Sequence, residues 1–186
     1  MERLKKIRLL AMDVDGVLTD GGMVYVEDSG LLKSFNAQDG LGIRLAMSAG
    51  LKIAWVTGNV SSAVARRAAD VGVADLYQGA RLKSEAIRDV AAKHRLSTEE
   101  IAYVGDDLND LPAFEAAGVS FAVSNAVSEV KQAACFITQR SGGAGAVREV
   151  IEMILKSRGR WPEAVASFIE ELRREQAQGD TAKVVG

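Results

Sequence analysis

The sequence predicts an α/β fold: a doubly wound, Rossmann-like parallel sheet with a β-hairpin inserted after its first strand. Three observations predict it. Short apolar, β-rich runs alternate along the chain with segments of helical periodicity, the pattern of βαβ units. Three of those runs end on Asp13, Thr57 and Gly105, so their polar ends converge on the carboxyl edge of one sheet, where open α/β sheets bind ligands. One segment breaks the alternation, with two β-rich runs either side of Asp28-Ser29-Gly30.

The elements follow in order. Ile7 to Val14 reads as a buried strand that stops at Asp15-Gly16, and Leu51 to Thr57 as a second, closed by Gly58. Ala74 to Tyr77, Ile101 to Gly105, Val119 to Val123 and Cys135 to Thr138 supply the others. Helical patterns fall between them at 41–48, 61–71, 84–95, 110–117, 127–133 and 146–156. Met23 to Glu27 and Leu31 to Asn36 form the hairpin, an insertion spanning about residues 20–38. A lone hairpin is marginal in water, so it calls for a partner surface, and a second subunit is the expected one. Residues 1–157 read as one domain, and 158–186 as an appendage. Pro162 suits the first turn of a helix over 163–176, striped by Val165, Phe168, Ile169 and Leu172.

Composition narrows the functional classes. The 186 residues are 48% hydrophobic and 26% charged, enough for one real core. Lys plus Arg is 23 against 25 for Asp plus Glu, so no basic excess points to nucleic acid. Apolar runs are too short for a membrane span. The basic start MERLKKIRLL is followed by no signal-peptide pattern, so a cytoplasmic protein is expected. A single cysteine, Cys135, and a single histidine, His94, exclude an internal disulfide and a multi-His zinc centre. Cys135 reads as a small buried hydrophobe and His94 as a partner for a helix C-terminus. Any metal is then a hard one held by carboxylates.

Four motifs carry chemistry. In Asp13-Val14-Asp15-Gly16, residues i and i+2 put two carboxylates on one side of a strand end, which a metal or cation would offset. Asp-Gly is also a common turn. Gly105-Asp106-Asp107-Leu108-Asn109-Asp110 is a second acidic strand end. Alone it reads equally as a helix N-cap; beside the first it makes an oxygen-ligand site of the kind magnesium takes. Thr57-Gly58-Asn59 offers a hydroxyl and backbone N–H groups to a phosphate, or merely caps the next helix. Lys83, at a helix start, is either a solvated lysine or a cation aimed at the same edge. Gly142-Gly143-Ala144-Gly145 reads either as a phosphate-cradling loop or, preferably, as a flexible entry to the last core helix.

The order Asp-x-Asp, Thr, Lys, Asp-Asp resembles the haloacid dehalogenase superfamily of phosphatases. The segments DVDGVLTDGGM, LKSFNAQDGLGIR, YQG, AYVGDDLND and GGAGAVREV further resemble the capless 3-deoxy-D-manno-octulosonate 8-phosphate phosphatase group, over roughly residues 7–156. The resemblance implies a fold with no large cap domain and a homotetramer in which the hairpins of four subunits pack together. It implies magnesium-dependent hydrolysis of a phosphorylated sugar acid, with Asp13 as nucleophile and Asp15 as acid and base. Magnesium would lie between the Asp13 and Asp106 carboxylates and the Asp15 main-chain carbonyl. Thr57 and Lys83 would hold the phosphate, with Asp107 or Asp110 steadying Lys83 or metal-bound water. Substrate contacts are implied for Asn36, Ala37, Gln38, Asp39, Gly40, Arg44, Arg67 and Asn109, besides Asp15 and Lys83. The group usually shows Thr-Gly-Arg where this chain has Thr57-Gly58-Asn59, so a nine-carbon sugar acid 9-phosphate or another small phosphorylated metabolite is the alternative substrate. A non-catalytic oligomerisation module, of the kind fused behind acylneuraminate cytidylyltransferases, is the alternative of another class. The intact Asp13, Asp15, Lys83 and Asp106 argue against it.

Overall fold

The computed structural model describes residues 2–26 and 30–177. Its centre is a six-stranded sheet in the order β5-β4-β1-β6-β7-β8, parallel throughout. The strands are β1 (Leu9–Met12), β4 (Lys52–Val56), β5 (Asp75–Tyr77), β6 (Ile101–Gly105), β7 (Val119–Ala122) and β8 (Phe136–Ile137). Helices cover both faces, which is why the central strands are almost continuously apolar: every residue of β1, β6 and β7 is buried. The doubly wound expectation holds. β6 keeps the expected bounds 101–105, while the other five strands are each trimmed by one residue or more, β1 at both ends, with Asp13 and Val14 leaving the ladder to serve the loop beyond.

The helices are α1 (Glu2–Lys5), α2 (Ala37–Ser48), α3 (Ser62–Val71), α4 (Lys83–His94), α5 (Leu111–Ala116), α6 (Ser128–Ala133), α7 (Ala146–Ser157) and α8 (Trp161–Ala177). The short α1 has no counterpart in the sequence reading; Leu4 pins it into the core. α2 begins four residues earlier than its apolar pattern suggests. Asn36 accepts from the Gln38 and Asp39 backbone N–H groups, and this cap draws 37–40 into the first turn.

The hairpin is β2 (Val24–Val26) paired antiparallel with β3 (Gly30–Leu32); its expected turn at 28–29 lies outside the described residues. It forms a separate two-stranded sheet. Met23, Val24, Tyr25 and Leu32 are exposed on it, Tyr25 to 80%. α8 lies across α2 and α7. Ala164 is its buried residue, and Trp161 sits beneath the Arg148 guanidinium, 4.8 Å from the ring centroid. Of the expected stripe, Val165 and Phe168 are half-buried, while Ile169 and Leu172 face outward.

Two expectations need correction. Cys135 is exposed, because β8 is an edge strand whose outer residues lack a covering helix. The 142–145 segment is no flexible entry. Gly143 N–H donates to the Val17 carbonyl at 3.0 Å, Gly142 N–H donates to Asn125 Oδ1 at 2.8 Å, and Asn36 Nδ2 donates to the Gly143 carbonyl at 3.3 Å. A Cβ on Gly142 would lie 1.7 Å from the Gly16 carbonyl oxygen, so the two loops touch backbone to backbone.

Candidate active site

β1 lies between β4 and β6, so the connections leaving its two neighbours diverge and open a crevice at the carboxyl edge. Asp13 follows β1, Thr57 follows β4 and Asp106 follows β6; Lys83 opens α4 after β5. They surround a cleft of about 470 Å³ whose walls include Asp13, Asp15, Thr57, Asn59, Asp106 and Asn109. Arg81 also stands on the rim.

Lys83 lies fully buried beneath the floor. Its Nζ donates to Asp13 Oδ2 at 2.8 Å and to Asp110 Oδ1 at 2.7 Å. A buried ammonium is costly unless paired, and here two carboxylates pair it. Burial alone would lower its pKa, but the charges of Asp13 and Asp110 outweigh that and raise it. Lys83 is therefore a fixed cation.

Asp110 is the hub below that cation. Its Oδ1 also accepts from the Tyr103 hydroxyl at 2.7 Å, and its Oδ2 accepts from the backbone N–H groups of Asp106 at 2.8 Å and Asp107 at 3.3 Å. A Cβ on Gly105 would lie 2.5 Å from Asp110 Cβ, so glycine is what lets the hub close under the strand. The sequence reading offered Asp107 or Asp110 for this role. The chain turns through a single 3₁₀ turn at Leu108–Asp110; this aims Asp110 inward and leaves Asp107 to cap that turn.

A cation belongs above the floor. One oxygen each of Asp13, Asp106 and Asp110 lies within 4.8 Å of the others. Asp110 has both oxygens occupied by donors. Asp106 Oδ1, in contrast, is buried with no hydrogen-bond partner among the described residues, a state that costs free energy unless a cation meets it. Burial first, then the Asp110 charge, push the Asp13 carboxyl up to about 7 against the pull of Lys83. Burial, then Asp13 and Asp110, push Asp106 up to about 8. Gly16, at φ +89°, passes so close that a Cβ there would sit 1.9 Å from Asp106 Oδ2. The residues fit a divalent cation held by oxygen.

Asp15 stands on the opposite wall. Its Oδ2 accepts from Asn59 Nδ2 at 3.0 Å and from Thr57 Oγ1 at 3.5 Å. Its Oδ1 is met by Lys33, just past β3 in the hairpin insertion, whose side chain is 1% exposed. The sequence reading missed Lys33. The only available signal was a lysine interrupting the apolar run Leu31-Leu32-Lys33-Ser34-Phe35.

Of the remaining predicted substrate residues, 36–40, Arg44 and Arg67 are not among those lining the cleft. Asp39 is 1% exposed, and its Oδ1 accepts from the Arg148 backbone N–H at 2.7 Å, capping the start of α7. Burial raises its pKa. Gly40 is buried, and a Cβ on it would reach 2.3 Å from an Arg67 nitrogen. Asp39 and Gly40 are both enclosed by their own chain. Gln38 accepts from Arg140 at 2.6 Å, Arg67 lies over the Phe35 ring, and Arg44 borders a groove with Phe168 and Glu171 beneath α8. Asn36 and Ala37 begin α2. His94, at the end of α4 as expected, bonds Asp75 at 2.6 Å.

The profile of the haloacid dehalogenase-like hydrolases matches residues 53–151, just over half the chain. The chain belongs to this family. Within it, the 3-deoxy-D-manno-octulosonate 8-phosphate phosphatase KdsC of Escherichia coli is 42% identical over 170 residues, covering 91% of this chain and 90% of the relative. The Moraxella catarrhalis 3-deoxy-D-manno-octulosonate 8-phosphate phosphatase, solved with magnesium, phosphate and KDO, superposes with a TM-score of 0.87 at 38% identity, over 90% of this chain and 96% of that one. The cobalt-bound Haemophilus influenzae phosphatase superposes at 0.82 with 41% identity, over 84% and 92%.

Proposed function

We propose that this chain is a magnesium-dependent phosphatase that hydrolyses 3-deoxy-D-manno-octulosonate 8-phosphate through an aspartyl-phosphate on Asp13. One observation carries the reaction: Asp13, Lys83 and the partnerless Asp106 oxygen meet at one edge of the sheet. The substrate rests on the names of relatives that this chain matches across nearly their whole length.

The roles follow from charge and position. An Asp13 carboxylate oxygen attacks phosphorus while the ester P–O bond breaks. Asp15 gives its proton to the departing sugar oxygen, then takes one from the water that releases phosphate from Asp13. Thr57 holds phosphate oxygens where charge builds, and Lys83, buried below on Asp13 and Asp110, adds its positive charge from beneath. Asp13, Asp106 and the Asp15 main-chain carbonyl would hold magnesium, which offsets the repulsion between anionic nucleophile and anionic phosphate. Asn109 faces the cleft, where it can reach substrate.

The phosphatase domain spans 1–157 in this reading, with 158–186 as an appendage. The exposed apolar face of the hairpin supports a homotetramer in which hairpins cover one another. A phosphorylated metabolite as substrate accords with a cytoplasmic enzyme. Among the described residues no helix is long and apolar enough to cross a membrane. Asn59 supports the alternative of a different sugar-acid phosphate, since a neutral amide bonded to Asp15 is no cationic fork for a carboxylate.

The test is phosphate release from a panel of phosphorylated sugar acids and sugars, with and without magnesium. The expected result is magnesium-dependent turnover with the eight-carbon substrate best by kcat/KM. Turnover best on another substrate would leave the reaction and replace the substrate. No turnover from a folded, magnesium-binding protein would overturn the enzyme reading in favour of a structural module.

A further inference from the structure

The hairpin does more than offer an apolar face. Lys33 stands one residue beyond β3, yet its side chain is buried to 1% exposure and ends on Asp15 Oδ1. Lysine is rarely this enclosed unless its charge is engaged. Here the engaged group is the carboxylate that faces the cleft from the wall opposite Lys83. Asn59, at the end of the β4 loop, donates to the other oxygen of the same carboxylate at 3.0 Å. Asp15 is thus gripped on both oxygens, by one group from the sheet and one from the insertion. Its own side chain keeps 17% exposure, open to the cleft.

We propose that Lys33 is a positioning residue for Asp15: the hairpin insertion supplies the cation that fixes the acid/base carboxyl toward the leaving oxygen. The inference rests on the phosphatase reading above. In the first half-reaction, the new bond joins Asp13 oxygen to phosphorus, the ester P–O bond breaks, and the Asp15 proton goes to the departing alkoxide. That leaves Asp15 an anion, and Lys33 is already in place to meet it. Among the described residues the Lys33 ammonium is paired with Asp15 and not with Asp13, so its proposed action is through Asp15.

This role has a signature that general structural support lacks. Help from a general acid matters in proportion to the basicity of the leaving group. A sugar alkoxide needs a proton as it departs, while nitrophenolate leaves readily without one. The value of kcat/KM reports only the steps up to the first irreversible one, here phosphoryl transfer to Asp13. The experiment compares wild type, Lys33→Met and Lys33→Arg on 3-deoxy-D-manno-octulosonate 8-phosphate and on p-nitrophenyl phosphate, under saturating magnesium. For Lys33→Met the expected result is a fall of about 100-fold in kcat/KM on the sugar phosphate and less than about 5-fold on the nitrophenyl ester. Lys33→Arg, which keeps the charge, should recover part of the sugar-phosphate rate. The ratio between two substrates within one variant does not depend on how much of that variant is folded. Equal falls on both substrates, or no fall on either, would overturn the proposal while leaving the phosphatase reading intact. A wild type inactive on these two esters and on every other member of the phosphate-ester panel above would overturn the phosphatase reading itself, and this inference with it; if another member of the panel is turned over, it takes the place of the sugar phosphate in the comparison.

Discussion

The floor of the cleft and the hairpin above it are built on opposite principles. Under the floor, Lys83, Asp110, Tyr103 and the Asp106 and Asp107 N–H groups satisfy one another in a closed network, enclosed by strands buried on both faces. The hairpin has three residues per strand, its own two-stranded sheet and four exposed large apolar side chains. Yet Lys33 carries a charge from this thin element to Asp15. Asp13, the proposed nucleophile, therefore sits over the enclosed network, while Asp15, the proposed acid/base, is met by a residue of the hairpin insertion.

The comparison can be broken from either side. The largest effect belongs to the nucleophile: Asp13→Asn should lower phosphate release by on the order of 10,000-fold or more, with folding retained, because no later step can proceed without the aspartyl-phosphate. Residual turnover within 10-fold of wild type would remove Asp13 from that role. Next comes the hub. Asp110→Ala leaves Lys83 with Asp13 alone and strands the Tyr103 hydroxyl and two N–H groups in a buried site, a loss of roughly 3–5 kcal/mol. A thermal melt should show it as a drop on the order of 10 °C. An unchanged Tm would mean the floor is wetter than its burial suggests.

A third, smaller effect is set by pH. In the metal-free fold Asp13 and Asp106 keep protons up to about 7 and about 8, whereas in the unfolded chain they lose them near 3.8. Between those limits the folded state binds more protons, so metal-free stability falls as pH rises through the window. Magnesium offsets the buried charge. The rise in Tm on adding magnesium should therefore be slight at pH 5 and several degrees at pH 8, as differential scanning would record. A gain that shrinks with pH would contradict the assignment of these two carboxyls. The smallest effect on the fold is expected at the hairpin. Tyr25→Ser with Leu32→Ser should leave monomer Tm within a few degrees but shift the sedimentation profile toward smaller species. An unchanged profile would place the subunit contact elsewhere.

Much of this was legible in the chain. Asp13, Thr57 and Asp106 sit where apolar runs end, and a parallel sheet brings such ends together whatever the intervening loops do. Lys83 was legible as a helix start. Three kinds of feature were not. Asp110 could not be told from Asp107, because the choice hangs on a single 3₁₀ turn rather than on residue type. Lys33 lay hidden because an exposed and an inward lysine in a short strand look alike until the hairpin folds back. The helical state of 37–40 was hidden too, because it comes from the Asn36 cap rather than from apolar periodicity, and Asp39 in turn caps α7.

The contact between the 142–143 and 16–20 segments has a practical consequence for chimeras. Gly142 meets the Gly16 carbonyl, and a Cβ on Gly143 would lie 2.5 Å from the Asp20 nitrogen, so neither strip of backbone has slack for the other to change shape. The two segments stand more than a hundred residues apart, but they behave as one heritable block. Exchanging either with the equivalent piece of a relative should succeed only when its counterpart travels with it.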